Sequence, residues 1–444
     1  MKKPHYDLTQ GAIGWHVRRL AMAMGWGIVA MNIVHFTNMW FISRLGHDHL
    51  AAIAFTMPVT VFSFFMILAM SSGMTSAVAR AAGSNRGEHT ARTVTAGIAG
   101  ALIMGAVLMA CAYALKNHVF LAMGAPADML PLINSFMNVW LLCIPFMVLT
   151  VVTNAAARGY GEARLPALVM IQLAITNLIL DPIFIFGLDM GMQGAATATL
   201  CAYGLATISA LYIAATKLHL LRPKTLRNIP KTKRALKTWW NVTGPVSIAY
   251  SIEPLSNGIL TASVASLGLG AVAAYGVVTR VEGLAMIVLM AMWGAVTPLA
   301  GQNWAAGKHE RVRHTIEVAS LINGVFCILF ACLMWFCAHR VASLFSSDAD
   351  TVRLAALYLS IVPVSYVGFG ASGLIGSALN GIGRARWYLV ANSARVLTLL
   401  AMAVYGAHHF GFYGFALGVG ASNLLCGFVI AVWSRRVFLA SKPV

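Results

Sequence analysis

Apolar residues run along this chain in long blocks, and polar residues collect in the short gaps between them. A helix that crosses the hydrocarbon of a bilayer needs about 20 mostly apolar residues. Twelve blocks meet that length: residues 17–43, 51–78, 93–115, 129–156, 165–187, 193–216, 240–266, 271–300, 315–337, 352–379, 387–409 and 412–434. The first block begins too late after Met1 and runs too long for the apolar stretch of a secretory leader, so no cleavable leader is expected. The pattern predicts an all-α membrane protein with twelve transmembrane helices.

Composition supports this. Of 444 residues, 59% are apolar and only 10% are Asp, Glu, Lys or Arg, against about 25% charged in a soluble domain. Too little polar side chain is present to cover a water-soluble surface. The apolar content also excludes disorder. The seven cysteines all fall inside apolar blocks with no metal-knuckle or CxxC spacing, and read as small buried hydrophobes.

Charge then sets orientation. The formal net charge is +18, which in a soluble protein would suggest nucleic acid. Here 25 of the 31 Lys and Arg residues fall at the N-terminus, in alternate loops, in the stretch 217–238 and in the C-terminal tail. The other side has only Arg44, Lys116, Arg340 and Arg353, while Arg280 and Arg395 lie inside blocks. Cytoplasmic loops carry the excess of Lys and Arg. Both termini are therefore expected in the cytoplasm, with the chain in a plasma membrane (a bacterial inner membrane), and nucleic acid is not an expected partner.

The two halves also repeat at an offset of 222 residues. Gly46–Ala52 falls on Gly268–Ala274, Glu88 on Glu310, and Arg158–Arg164 on Asn380–Arg386. A fourth match, Gly191 and Gly194 with Gly411 and Gly414, is shifted by two residues. Six spans per repeat make both halves enter the membrane the same way, a parallel repeat. The expected domains are an N-terminal six-helix lobe (1–216), a basic cytoplasmic linker (217–238) and a C-terminal six-helix lobe (239–444). Two such bundles enclose a cleft near the midplane, and rocking one against the other gives alternating access.

Several segments taken together carry a family resemblance. They are Arg44–Ala52, Asn154–Pro166, Asn177–Gly187, Gly191–Ala196, Gly301–Arg311 and Asn380–Arg386. Over nearly its whole length the chain resembles the MATE (multidrug and toxic compound extrusion) transporters, with mixed DinF-like and NorM-like features. The resemblance implies two six-helix lobes around a V-shaped cleft. It also implies antiport, with a drug or toxic compound leaving as H+ or Na+ enters.

Ionisable groups inside spans are costly and mark function by default. Asp181, Glu253 and Glu282 are the acids deep in spans. Asn177 precedes Asp181 by four residues, so both lie on one helical face. Pro182 follows and cannot donate to the Leu178 carbonyl. A carboxylate, an amide and a freed carbonyl suit a hard cation or a proton. The resemblance assigns the N-lobe cation site to positions matching Asn38, Asn154, Asn177, Asp181 and Thr199. The family has Asp where this chain has Asn38, so one of two carboxylates is missing. His35, which titrates near neutral pH, is a candidate replacement.

In the second half Glu253 is followed by Pro254, its spacing is similar to the embedded Glu of the NorM subgroup, and with Arg280 and Glu282 it is the expected cation or substrate site of the C-lobe, Glu253 taking part in coupling. The partner Asp of that subgroup is absent, since residues 354–379 contain no acid. Arg280 and Glu282, in a segment similar to DinF-type members, are two residues apart and project to different sides. Arg280 is expected to face Glu253 across the lobe. Arg395 receives no role. Met31, Trp40, Met286, Met290 and Trp293 offer the flexible and flat apolar surfaces that suit a promiscuous cleft.

The expected function is secondary active export of a hydrophobic, cationic compound against H+ or Na+, by a monomer in the lipid bilayer with no cofactor. The alternative is a flippase of the wider superfamily for a lipid-linked or polysaccharide substrate. No HExxH segment or nucleophile–base pair at usable spacing points to an enzyme.

Overall fold

The computed structural model describes residues 7–84 and 87–439. Lys2, Lys3, Arg86 and Lys442, four of the topology-setting cations, lie outside the described residues. Every regular element among the described residues is helical. In chain order these are α1 (Ile13–Ser43), α2 (His47–Gly83), α3 (Gly87–Ala122), α4 (Leu130–Tyr160), α5 (Arg164–Pro182), α6 (Gly191–Tyr212), α7 (Ile229–Ala265), α8 (Leu269–Ala305), α9 (His309–Ser343), α10 (Ala349–Ile361), α11 (Tyr366–Gly381) and α12 (Ala385–Leu439).

Ten helical stretches among the described residues are long and apolar enough to cross a bilayer. One of them joins α10 and α11 through a 3-10 turn at Val362–Ser365, where Pro363 cannot continue the α-helical ladder. Another, within α12, breaks at Phe410 and Gly411, whose backbone leaves the helical region, and so makes two crossings. α7 is outside the ten because Glu253, Asn257 and several serines dilute its apolar surface. With the break and α7 counted, twelve passes result.

The repeat is visible in backbone conformation. Gly46 (φ 121°) opens α2 and Gly268 (φ 111°) opens α8, 222 residues later. Gly161 (φ 104°) and Gly383 (φ 85°) follow α4 and α11 at the same offset. Close packing repeats too. Thr75 donates its hydroxyl to the Ala155 carbonyl at 3.2 Å, and Thr297 does so to the Ser377 carbonyl at 3.2 Å. A Cβ on Gly159 would lie 2.6 Å from the Thr75 carbonyl oxygen, and one on Gly381 would meet the Thr297 carbonyl oxygen closer still. Only glycine lets these helices approach so nearly.

The chain divides into two compact units, one holding Met22–Ser247 and the other Leu8–Ala21 together with Ile248 onward. The basic stretch 217–238 therefore lies within the first unit, and its last ten residues are already helical in α7. Trp239, fully buried, donates its indole N–H to the Met70 carbonyl at 3.2 Å there. In the second unit the segment before α1 is tied to the α8–α9 corner. Asn303 donates to the Leu8 carbonyl at 3.2 Å, and Arg311 donates to the Gly11 carbonyl at 3.0 Å and to Asn303 Oδ1 at 3.0 Å.

One expectation is corrected. All seven cysteines are free, but Cys111, Cys201 and Cys332 are exposed rather than buried. An outward position on a spanning helix faces lipid, so apolar surroundings in the sequence do not imply protein packing.

Candidate functional site

In the first unit the N-lobe residues converge on α5. Its last turn carries Asp181, fully buried, with Asn177 one turn earlier and equally buried. Pro182 ends the α-helical ladder, and the chain widens at once into a π-helical turn over Ile183–Gly187. Asn177 donates its amide to Asp181 Oδ1 at 3.4 Å and to Thr199 Oγ1 on α6 at 3.4 Å. Thr199 spends its own proton on the Ala195 carbonyl at 3.0 Å, which leaves its oxygen as an acceptor.

Asn38 on α1 completes the group. With its amide nitrogen turned toward these acceptors, it donates to both Asp181 carboxylate oxygens, 3.2 Å to Oδ1 and closer to Oδ2, and to Asn177 Oδ1 at 3.0 Å. The residue in the family's acidic position is thus a direct partner of the remaining acid. Asn154, the remaining member of the expected set, is buried but donates to Met170 Sδ at 3.5 Å, outside this network. His35 lies on the exposed side of α1, edge-on to Phe64 with ring centroids 6.4 Å apart. Its only described contact is aromatic, and Asn38 rather than His35 meets the carboxylate.

The second unit holds two polar groups. Glu253 on α7 is ion-paired with Arg395 on α12, and not with Arg280 as the sequence suggested. The Glu253 side chain is 29% exposed and that of Arg395 7%. Arg395 also donates to Asn392 Oδ1 through Nε at 3.3 Å and Nη2 at 3.2 Å, and its guanidinium lies 5.1 Å from the Phe369 ring centre. Asn392 in turn donates to the Ala249 carbonyl at 3.4 Å. Arg280, on α8, is exposed and takes part in none of the ion pairs among the described residues. Helical spacing fixes which side of α8 it occupies but not which helix that side meets.

Glu282 forms the other group. It accepts hydrogen bonds from Tyr366 Oη at 2.6 Å and Tyr358 Oη at 3.3 Å, both rings being buried. The sequence reading missed both tyrosines and Arg395. A signal existed for Arg395. A buried guanidinium needs an acid, and Asn392 three residues earlier marks the polar face of that helix.

The expected apolar contacts divide by unit. Met31 packs on the first core with its sulfur 4.0 Å from Tyr203 Oη, and exposed Trp40 is capped by Arg44, 5.0 Å from its ring centre. Met290 is exposed and Met286 half-buried. Trp293 is a brace: it donates to the Gly370 carbonyl at 3.1 Å and fills the space left by Gly373.

Comparison with known proteins agrees with this architecture. A curated relative, the FAD transporter of Shewanella oneidensis, is 30% identical over 440 residues, covering 98% of this chain and 97% of that protein. The probable multidrug resistance protein YoeA of Bacillus subtilis is 24% identical, covering 92% and 91%. The structure of the Vibrio cholerae MATE transporter VcmN in the bent form superposes with a TM-score of 0.92 at 25% identity, over 96% of this chain and 97% of that one. The MatE family matches residues 24–183 and 245–405. Two stretches of one family, one on each half of a twelve-pass helical fold, place this chain in the MatE family of membrane transporters.

Proposed function

We propose that this protein is a secondary active exporter in which a cation, H+ or Na+, binds at Asp181 and drives a drug-like compound outward. One observation carries the proposal: among the described residues a fully buried carboxylate is met by neutral groups, the amides of Asn38 and Asn177, with Thr199 beside them. An acid in this position has no resident counter-charge among these partners, so it needs a mobile one. The amides suit both states. Each offers N–H to an ionised carboxylate, and each, turned over, offers oxygen to a bound proton or metal cation. Alternating exposure of the site by rocking of the two halves couples cation entry to substrate exit. The proposal includes a bacterial inner membrane with both termini in the cytoplasm, and a monomer as the working unit. Multidrug relatives such as YoeA support the class of substrate.

A second reading concerns the cargo. The relative with the higher identity is a flavin dinucleotide carrier that matches end to end. Exposed Arg280, outside every described ion pair, suits the pyrophosphate of such an anion better than it suits a cationic drug.

Both readings are tested in inverted vesicles loaded by an imposed pH gradient and, separately, a Na+ gradient. Accumulation of a cationic dye, lost in Asp181→Asn, supports the first. FAD accumulation, lost in Arg280→Gln but also dependent on Asp181, supports the second. Gradient-independent movement of both cargoes would overturn the coupling.

A further inference from the structure

Where α3 and α7 begin, the first unit contains a cavity of ≈ 670 Å³ that the transport reading does not use. Its walls come from the start of α3, the 3-10 turn Pro223–Arg227 and the start of α7. Five cationic side chains line it, those of Arg92, Arg222, Lys224, Arg227 and Lys231, against one carboxylate, Glu88.

The cavity is built rather than incidental. Arg92, with a side chain only 8% exposed, holds Glu88 at 2.5 Å and donates Nε to the Thr225 carbonyl at 3.3 Å, which fixes the turn to α3. The backbone N–H of Arg222 donates to Thr95 Oγ1 at 3.2 Å, a second tie between the same elements. Asn228 closes the turn by accepting from the Lys231 N–H at 3.2 Å, capping the first turn of α7.

The remaining four cations are exposed and belong to none of the ion pairs among the described residues. Like charges around a concavity repel one another and gain nothing from packing. They focus a positive field in which an anion concentrates. Two guanidinium forks and two ammonium groups match a phosphate group, which takes arginine in two-point contact and lysine as a point charge.

We propose that this cavity is a binding site for a phosphate-bearing anion at the membrane–water boundary, separate from the sites within the helical spans. The chemistry is shared by the headgroup of an acidic phospholipid and by a soluble phosphate or pyrophosphate.

Purified full-length protein tests it with two probes. The first is calorimetric titration with inorganic pyrophosphate in lipid-free detergent. The second is native mass spectrometry in nanodiscs of phosphatidylcholine containing phosphatidic acid. The pocket variant is Arg222→Gln with Arg227→Gln. The control, Lys233→Gln with Lys237→Gln, removes equal charge from exposed positions just outside the lining.

Saturable pyrophosphate binding, weakened about tenfold in the pocket variant and unchanged in the control, establishes a soluble ligand. Retention of phosphatidic acid over phosphatidylcholine, lost only in the pocket variant, establishes a lipid. Glu88→Gln is expected to tighten whichever probe binds. No binding of either probe, or equal weakening in pocket variant and control, overturns the proposal.

Discussion

The acids within the spans of the two halves have different neighbours on the same backbone plan. In the first half Asp181 meets neutral amides, with a threonine hydroxyl one hydrogen bond further out. In the second half Glu253 meets the guanidinium of Arg395, and Glu282 meets two phenols. A guanidinium tethered to α12 cannot leave, whereas the proton or sodium ion proposed at Asp181 can. The comparison teaches that carboxylates in spans of one fold can differ in whether a fixed charge already faces them. What sits opposite each decides whether its counter-charge is fixed or exchangeable.

Removing the exchangeable charge is the strongest test. Asp181→Asn is expected to lower gradient-driven efflux by about tenfold or more while leaving membrane insertion intact, whereas Glu253→Gln should retain coupled transport. A dye-efflux assay on both variants, with equal amounts of protein in the membrane, breaks the comparison if Glu253→Gln is the more damaged.

Next comes the fixed charge. Arg395→Met strands Glu253, and loss of one partner of a buried pair costs about 3–5 kcal/mol. The partial exposure of Glu253 places the cost near the lower end. Thermal unfolding of purified protein should show this loss, and adding Glu253→Gln should recover most of it.

Gly159→Ala and Gly381→Ala probe what the halves share. Each new methyl meets a backbone carbonyl, for an overpacking cost of about 1–3 kcal/mol. Similar drops in unfolding temperature are expected, and a large inequality would mean that the repeat is one of sequence without equal packing.

A smaller effect is expected from Asn38→Asp, which restores a second carboxylate beside Asp181. Two negative charges draw Na+ more strongly than one, so a Na+ gradient should drive efflux more effectively than in the wild type, read in the same vesicle assay. Smallest is Tyr366→Phe, which removes one of two hydrogen bonds to Glu282 and should cost about 1–2 kcal/mol in the unfolding assay.

Much of this was legible in the sequence. The spans were set by block length alone, and even the break in α12 fell where the sequence divided 387–409 from 412–434, at Phe410 and Gly411. The Asp181–Asn177 pair was legible because four residues make one helical turn. Asn38 followed from its place in the family pattern. The partner of Glu253 was not legible. Periodicity says which side of its own helix a residue occupies, while pairing depends on which helices meet, and α7 meets α12 over residues 142 apart. The π-helical turn after Pro182 was equally hidden, since proline announces a lost hydrogen bond but not how the next turn reroutes. The placement of Leu8–Ala21 with the second unit rests on long-range ties such as Asn303 to Leu8, which no local pattern records.

The glycines that open α2 and α8 also constrain how this chain can evolve. At Gly46 and Gly268 the backbone takes a positive φ that strains any other residue, so a substitution there costs stability, about 1–3 kcal/mol. Within the helices the constraint is of another kind, close backbone contact at positions such as Gly159 and Gly381. The repeated frame is therefore held at its corners and at these tight crossings, while the side chains around Asp181, Glu253 and Glu282 differ between the halves. New cargo or new ions are reached by exchanging a few interior side chains on a frame whose corners stay put.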